Sequence, residues 1–453
     1  MKQTKYLFIF LLTILSVTSC KDSKHASKET DQTVTEVSFL QKIKELFPTA
    51  EITALEKSDH FAEVYQMILK EPLDHSNPTA GSFDHYVYLS HVDYNKPTVI
   101  VTEGYSAKQR TNELSKILKS NQVIVEYRFY GKSRPEPMPW KYLTNDQAIE
   151  DYHGLVTKLK SLYSKKWIST GISKGGETVL IYKSKYPEDI DVAVPYVAPL
   201  INGREDARTE EHINSVGTEE CRAKVTKFQR LLLSNRKAVL AEIEKHATEK
   251  KMGFTKVSQE EALEYAALEF PFSFWQWGGK CEDIPEESAS AEELFKYVDK
   301  IVGISFYSDK TYHDLLPSYY QHMLELGYYG FDTTPVKDLI KIVFEPTNLR
   351  FAPKDVEMTY NPEYIKNVRD YVENKGNHIL YINGEYDTWG ACAPTPKPNV
   401  DALKMVLKGG SHKTRIKHFS QEDQKKIYDK LQSWLGSDVE LSPISKPEES
   451  VSK

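Results

Sequence analysis

The pentapeptide Gly171-Ile172-Ser173-Lys174-Gly175 has the spacing G-x-S-x-G. That spacing suits a nucleophilic serine at a sharp turn from a strand into a helix. The hydroxyl of Ser173 must project above the end of the sheet. Glycine two positions to either side removes the side chains that would collide there. The first turn of the helix adds a positive field beside an oxyanion forming at that point. Serine is a weak nucleophile and needs a base, and the base needs a carboxylate to orient it. Asp387, in Asn383-Gly384-Glu385-Tyr386-Asp387, and His412, in Lys408-Gly409-Gly410-Ser411-His412, supply both. The chain order Ser, Asp, His is the one that goes with a serine at such a turn. Glu385 is the alternative acid. His378 begins a strand and His418 lies in a later turn, so both are weaker candidates for the base. Two backbone amides must hold the oxyanion. The expected donors are Lys174, directly after the serine, and Gly104 or Tyr105, after the apolar run Thr98–Thr102. The chemistry is acyl transfer through a covalent intermediate, which requires no cofactor. No metal site is expected: the sequence holds no CxxC and no HExxH, and its histidines do not cluster with cysteines at ligand spacing.

These residues need a sheet to bring them together. Short β-branched runs at Thr98–Thr102, Gln122–Tyr127, Trp167–Thr170 and Asp191–Tyr196 alternate with helical text at Arg110–Ser120, Asn145–Leu162 and Glu177–Tyr186. Such alternation predicts a parallel sheet covered on both faces. Before it, Leu40–Phe47 reads as a short amphipathic helix, and Phe61–Val92 alternates as half-buried antiparallel strands do. Residues 201–365 read as mostly helical and rich in aromatics. The strand pattern returns at His378–Ile382 and Ala402–Leu407, and a helix follows over Gln421–Leu435. Asp387 and His412 both fall after strands, at the carboxyl ends where such sheets bind ligands. The predicted class is α/β: an α/β-hydrolase fold with a mostly parallel sheet, built from residues 37–200 and 366–435. A helical cap, 201–365, interrupts it, and a polar tail, 436–453, follows.

Composition narrows the partners. Of 453 residues, 59 are Lys or Arg and 65 are Asp or Glu, a formal charge of −6 with no basic run. Nucleic acid is thereby excluded as a partner. The N-terminus begins with Lys2 and Lys5, and an apolar stretch from Tyr6 to Val17 is too short to cross about 30 Å of hydrocarbon. Residues 1–19 therefore read as a secretory signal. Val17-Thr18-Ser19-Cys20 resembles a bacterial lipobox, with Cys20 as the lipidated residue. Plain cleavage beside an incidental cysteine is the alternative. Residues 20–36 are too polar to bury a core and read as a tether. The expected location is the bacterial cell envelope, with the membrane touched only through this anchor. In an oxidising compartment, Cys221, Cys281 and Cys392 count as one disulfide and one thiol. The expected pair is Cys221 with Cys281, both in the inserted segment. Three buried thiols are the alternative.

The motifs together are similar to one known group. Ser173-Lys174-Gly175-Gly176 resembles the elbow of the S37 serine peptidases, the bacterial tripeptidyl aminopeptidases of PS-10 type. Thr102-Glu103-Gly104-Tyr105 resembles their oxyanion turn. Glu126-Tyr127-Arg128-Phe129-Tyr130-Gly131 resembles a stretch shared with the S28 prolyl carboxypeptidases and dipeptidyl peptidases, which usually carry His where Tyr127 stands. Tyr142-Leu143-Thr144 and Trp275-Gln276-Trp277-Gly278-Gly279 fit as well, and the similarity runs over about residues 60–435. It implies a serine exopeptidase that releases short peptides, of about three residues, from a free N-terminus beneath a helical cap. Such an enzyme needs a carboxylate for the substrate ammonium. Glu103, Glu126 and Glu177 are the candidates, although each fits a structural pairing equally well. Trp275, Trp277, Tyr319 and Tyr320 are candidate pocket walls. Two other readings keep fewer of these features: an ester hydrolase on the same fold, disfavoured by the missing HGGG-type oxyanion motif, and a non-enzymatic peptide-binding lipoprotein, which leaves elbow, acid and base coincidental.

Overall fold

The computed structural model describes residues 37–443. The signal, the lipidation at Cys20 and the tether lie outside the described residues, as does the tail beyond 443. The chain falls into two compact units divided after Ile43.

The apolar runs of the sequence become the middle of a nine-stranded sheet. The strands are β1 Glu51–Ala54, β2 Glu63–Pro72, β3 Ser82–His91, β4 Thr98–Thr102, β5 Asn121–Val125, β6 Trp167–Ile172, β7 Val192–Tyr196, β8 Ile379–Gly384 and β9 Ala402–Leu407. Their spatial order is β1-β2-β3-β5-β4-β6-β7-β8-β9. The first three pair antiparallel and β3 joins β5 antiparallel. Every pairing from β5 through β4 to β9 is parallel. Without the outermost β1, this is the strand order of the α/β-hydrolases. All residues of β4, β5, β7 and β8 are buried, as a parallel sheet covered on both faces demands. The alternating text of β2 and β3 lies at the antiparallel end, with β2 part-exposed.

Three helix boundaries differ from the sequence reading for local reasons. The first crossover helix is only Glu113–Leu118, because the Asn112 side chain caps its start and Lys119 ends it in the left-handed region. The second ends at Leu159, three residues early. The third begins at Lys174, not Glu177, because Ser173 occupies its N-cap position. Gly175 and Gly176 therefore lie inside a helix, against their own propensity.

Between β7 and β8 the chain builds helices Arg208–Ile213, Glu219–Ser234, Arg236–Lys250, Gln259–Trp277, Ala291–Ile301 and Asp309–Gln321. They share a core that includes Phe228, Phe270, Leu294 and Met323. A disulfide joins Cys221 to Cys281, and Cys392 is a buried thiol. Helix 259–277 contains Pro271, which removes one backbone hydrogen bond. The carbonyl of Ala267, left without that partner, accepts from Gln229 Nε2 at 2.8 Å. Among the described residues no helix is long and apolar enough to cross a membrane.

Candidate active site

Ser173 sits where β6 turns into helix 174–185, at φ 58° and ψ −126°. A non-glycine residue held there stores strain of roughly 1–3 kcal/mol. Two hydrogen bonds hold it: Ser173 N donates to the carbonyl of Tyr196, and its own carbonyl accepts from Glu177 N, both at 2.9 Å. The flanking glycines are there for space. A Cβ on Gly171 would lie 2.2 Å from the Gly175 carbonyl oxygen, and one on Gly175 would lie 2.4 Å from that of Thr102. A Cβ on Gly104 would lie 2.6 Å from Gly175 N. The turn after β4 therefore rests directly on the elbow. The amides of Gly104, Tyr105 and Lys174 donate to no partner among the described residues.

Asp387 follows β8 and His412 follows β9; both are buried. His412 Nδ1 lies 2.9 Å from each carboxylate oxygen of Asp387. A proton on Nδ1 donated to that carboxylate leaves Nε2 as the basic nitrogen. The loop of His412 is pinned by the cap: its N–H donates to the carbonyl of Gln276 at 2.8 Å. The Trp277 ring stands edge-on to the imidazole with centroids 5.5 Å apart. Asp387 is braced similarly, since the neighbouring Thr388 hydroxyl donates to the Phe272 carbonyl at 3.0 Å. Glu385 faces away and accepts from Gly409 N.

Ser173 and His412 line one cavity of about 670 Å³. Its floor is the elbow and the turn after β4; its roof comes from helices 259–277 and 309–321. Phe272 and Tyr329 stack there at 4.0 Å, and Trp389 meets Phe272 edge-on at 5.0 Å. Lys174 Nζ points into a ring of tyrosines, 3.4 Å from the centroid of Tyr127. Burial lowers this ammonium to about 7 and raises the Glu177 carboxyl beside it to about 8. Each also favours the other's charged form.

The structure sorts the predicted pocket residues. Glu103, Glu177, Trp277 and Tyr319 line the cavity. Glu103 is ion-paired with Arg110. Glu126 does not line it: its carboxylate accepts from Ala107 N, Ser133 N and Ser133 Oγ, and so braces the loop behind the turn after β4. Trp275 does not line it either, because it packs in the cap core against Phe274 and Tyr386. Tyr320 packs against Trp140 in a separate cluster. Arg128 forms a buried two-pronged ion pair with Asp151. That pair also bears on the one metal-like group among the described residues, Glu71, His75 and Asp151. Asp151 already accepts from both Arg128 and His75, and the guanidinium opposes a cation.

Sequence reasoning missed Glu269. It sits on helix 259–277, lines the cavity, and accepts from Ser273 Oγ at 2.7 Å. Burial pushes its carboxyl up to about 7, against hydrogen bonds from Tyr329 and Ser273. Its only signal in the sequence is a lone acid ahead of an apolar aromatic run.

The family model of the PS-10 peptidases, peptidase S37, matches residues 46–439. A prolyl tri/tetrapeptidyl aminopeptidase of Streptomyces mobaraensis is 32% identical over 385 residues, covering 82% of this chain and 80% of its own. A prolyl carboxypeptidase-like protein of Caenorhabditis elegans is 27% identical over 154 residues, 29% of this chain and 30% of that protein. Among solved structures, a proline iminopeptidase of Mycobacterium smegmatis matches with a TM-score of 0.35 and 12% identity, covering 84% of this chain and 97% of that one.

Proposed function

The chain belongs to the peptidase S37 family and is a serine-type aminopeptidase, and from that premise we propose how it works. It removes short peptides from free N-termini, using Ser173 as nucleophile, His412 as base and Asp387 as the group that orients the base. The observation that carries this reading is the convergence of a strained serine and a carboxylate-bound imidazole on one roofed cavity. Ser173 Oγ attacks the scissile carbonyl carbon while His412 Nε2 takes its proton. The charge that develops on the carbonyl oxygen meets the amides of Lys174 and of Gly104 or Tyr105. Collapse breaks the C–N bond, and His412 returns the proton to the leaving amine. Water, deprotonated by the same imidazole, then hydrolyses the acyl-enzyme.

The roof explains an exopeptidase. A cavity closed by helices 259–277 and 309–321 admits a chain end and stops a folded loop. The walls from Phe272, Tyr329 and Trp389 suit an uncharged, ring-shaped residue such as proline at the acyl position. Cys20 anchors the enzyme to the envelope in this reading, so Cys20→Ala should move the protein from the membrane to the soluble fraction.

The decisive experiment is product analysis by mass spectrometry on a defined peptide, with its amine free or acetylated. Release of an N-terminal fragment from the free peptide, lost on acetylation and abolished in Ser173→Ala, is the expected result. Equal cleavage of both peptides, or an active Ser173→Ala, would refute it.

A further inference from the structure

Five side chains that line the cavity end in buried polar atoms with no hydrogen-bond partner: Glu103 Oε1, which is ion-paired with Arg110, Lys174 Nζ, Glu177 Oε1, Glu269 Oε2 and His322 Nε2. A buried polar atom left unpaired is costly, so each needs a reason. Lys174 and Glu177 answer each other electrostatically. His322 bonds the Gly327 carbonyl through Nδ1, and burial holds its ring neutral. Glu269 is different. Only the neutral donors Ser273 and Tyr329 support its carboxylate, and among the described residues no cation pairs with it. A charge held this way is completed by a cation that arrives with the ligand.

Position along the helix gives a length. Glu269, Phe272, Ser273 and Gln276 follow the i, i+3, i+4, i+7 pattern of one helix face, and all four line the cavity. The carbonyl of Gln276 is bonded to His412 N, which fixes that end of the helix at the base. Seven residues at 1.5 Å each put Glu269 about 10.5 Å away along the axis. An extended peptide covers about 3.3–3.6 Å per residue, so this distance holds about three residues. Glu177 is placed for less: it is four residues from Ser173 on the elbow helix, about 6 Å along it.

Resting on the aminopeptidase reading, we infer that Glu269 is the binding site for the substrate α-ammonium. Its separation from His412 along helix 259–277 sets the released unit at about three residues. The ammonium is enclosed by the carboxylate while the third carbonyl lies over Ser173. A shorter substrate anchored at Glu269 falls short of the serine, and a longer one must buckle.

The test uses the full chain and peptide anilides ending in proline, with two, three or four residues, each free or N-acetylated. For wild type, kcat/KM should peak at three residues, and acetylation should lower it about 100-fold or more. For Glu269→Gln, the ratio of free to acetylated substrate should fall to within about 3-fold of unity and the length preference should flatten. Labelling of that variant by a fluorophosphonate shows in the same sample that its site is folded. A labelled Glu269→Gln that keeps the wild-type ratio overturns the inference, as does loss of the ratio in Glu177→Gln instead. A wild type that takes the label yet ignores acetylation removes the aminopeptidase reading itself.

Discussion

Gly104→Ala is the sharpest test of the oxyanion turn. The added methyl would lie 2.6 Å from both Gly175 N and Lys174 Cβ. Ordinary contacts begin near 3.4 Å, so the two backbones must separate by about 0.8 Å. Both are needed where they are: one carries the amide of Gly104, the other follows the amide of Lys174 and the serine itself. A site of this kind tolerates about 0.5 Å of displacement. Loss of one oxyanion donor lowers kcat by about 10²–10³, or about 2.7–4 kcal/mol of transition-state binding. The same overpacking costs stability of about 1–3 kcal/mol. In a chain of this size that moves Tm by only about 1–4 °C, since the unfolding entropy is about 2.1 cal/mol/K per residue. The two effects therefore separate. At 25 °C the variant should be folded by circular dichroism, with KM for a tripeptide anilide near the wild-type value and kcat down at least about 100-fold. A kcat within about 3-fold of wild type, with unfolding unchanged, would show that neither Gly104 nor its neighbour holds the oxyanion.

Three further perturbations read other parts of the molecule. Asp387→Asn leaves no carboxylate for His412 Nδ1 and favours the wrong tautomer, so kcat should fall about 10⁴-fold while the Tm changes little; single-turnover kinetics with the anilide measure it. Glu269 has its carboxyl raised by burial to about 7, against an unfolded value near 4.5. Its contribution to stability is full below about pH 4.5 and lost as pH rises through about 7, a swing of up to about 3 kcal/mol. Glu269→Gln should therefore gain Tm relative to wild type between pH 5 and pH 8.5, and a pH-independent difference would contradict the burial argument. The Cys221–Cys281 disulfide closes a loop of 60 residues, for which chain entropy gives about 4 kcal/mol. The double serine variant should lose about that much in urea titration, with helices 219–234 and 259–277 exchanging amide hydrogens faster.

The parts legible in the sequence are those governed by local pattern. The apolar runs became β4 to β8 because a parallel strand buried on both faces must be largely apolar, while β9 lies at the sheet edge and is only partly buried. The elbow was legible because the serine, its glycines and the strand before it are contiguous. Asp387 and His412 were legible because each follows a strand, and their bond spans 25 residues and a single crossover. What was not legible depends on contacts between distant segments. Glu126 had the same claim on the substrate as Glu177 until the structure showed three donors from residues 107 and 133 around its carboxylate. Trp275 and Trp277 are two residues apart, and helical geometry sends one into the cap core and the other over His412. Glu269 could not be told from an ordinary surface acid, since its burial comes from Tyr329 and the helices packed around it. The helical position of Gly175 and Gly176 follows from close approach to Thr102 and Ala198, which no propensity scale contains.

Helix 259–277 joins these observations, because the loops of Asp387 and His412 are not held by the sheet alone. His412 hangs from the Gln276 carbonyl, and the loop of Asp387 hangs from the carbonyl of Phe272 through Thr388. Both acceptors lie on the last turns of this helix, and Glu269 is one to two turns before them. On the proposed mechanism, a substrate ammonium drawn to Glu269 pulls on the same rigid element from which the loops of His412 and Asp387 hang. Binding energy gained far from the scissile bond then acts on the reacting geometry, which is how remote contacts raise kcat as well as lowering KM. Pro271 lies inside this stretch, and the hydrogen bond from Gln229 to Ala267 repairs the backbone there. Removing that support with Gln229→Leu keeps every residue that faces the cavity. If the helix transmits the anchor's position to the base, that variant should lower kcat for the free tripeptide more than for a small ester that never reaches Glu269.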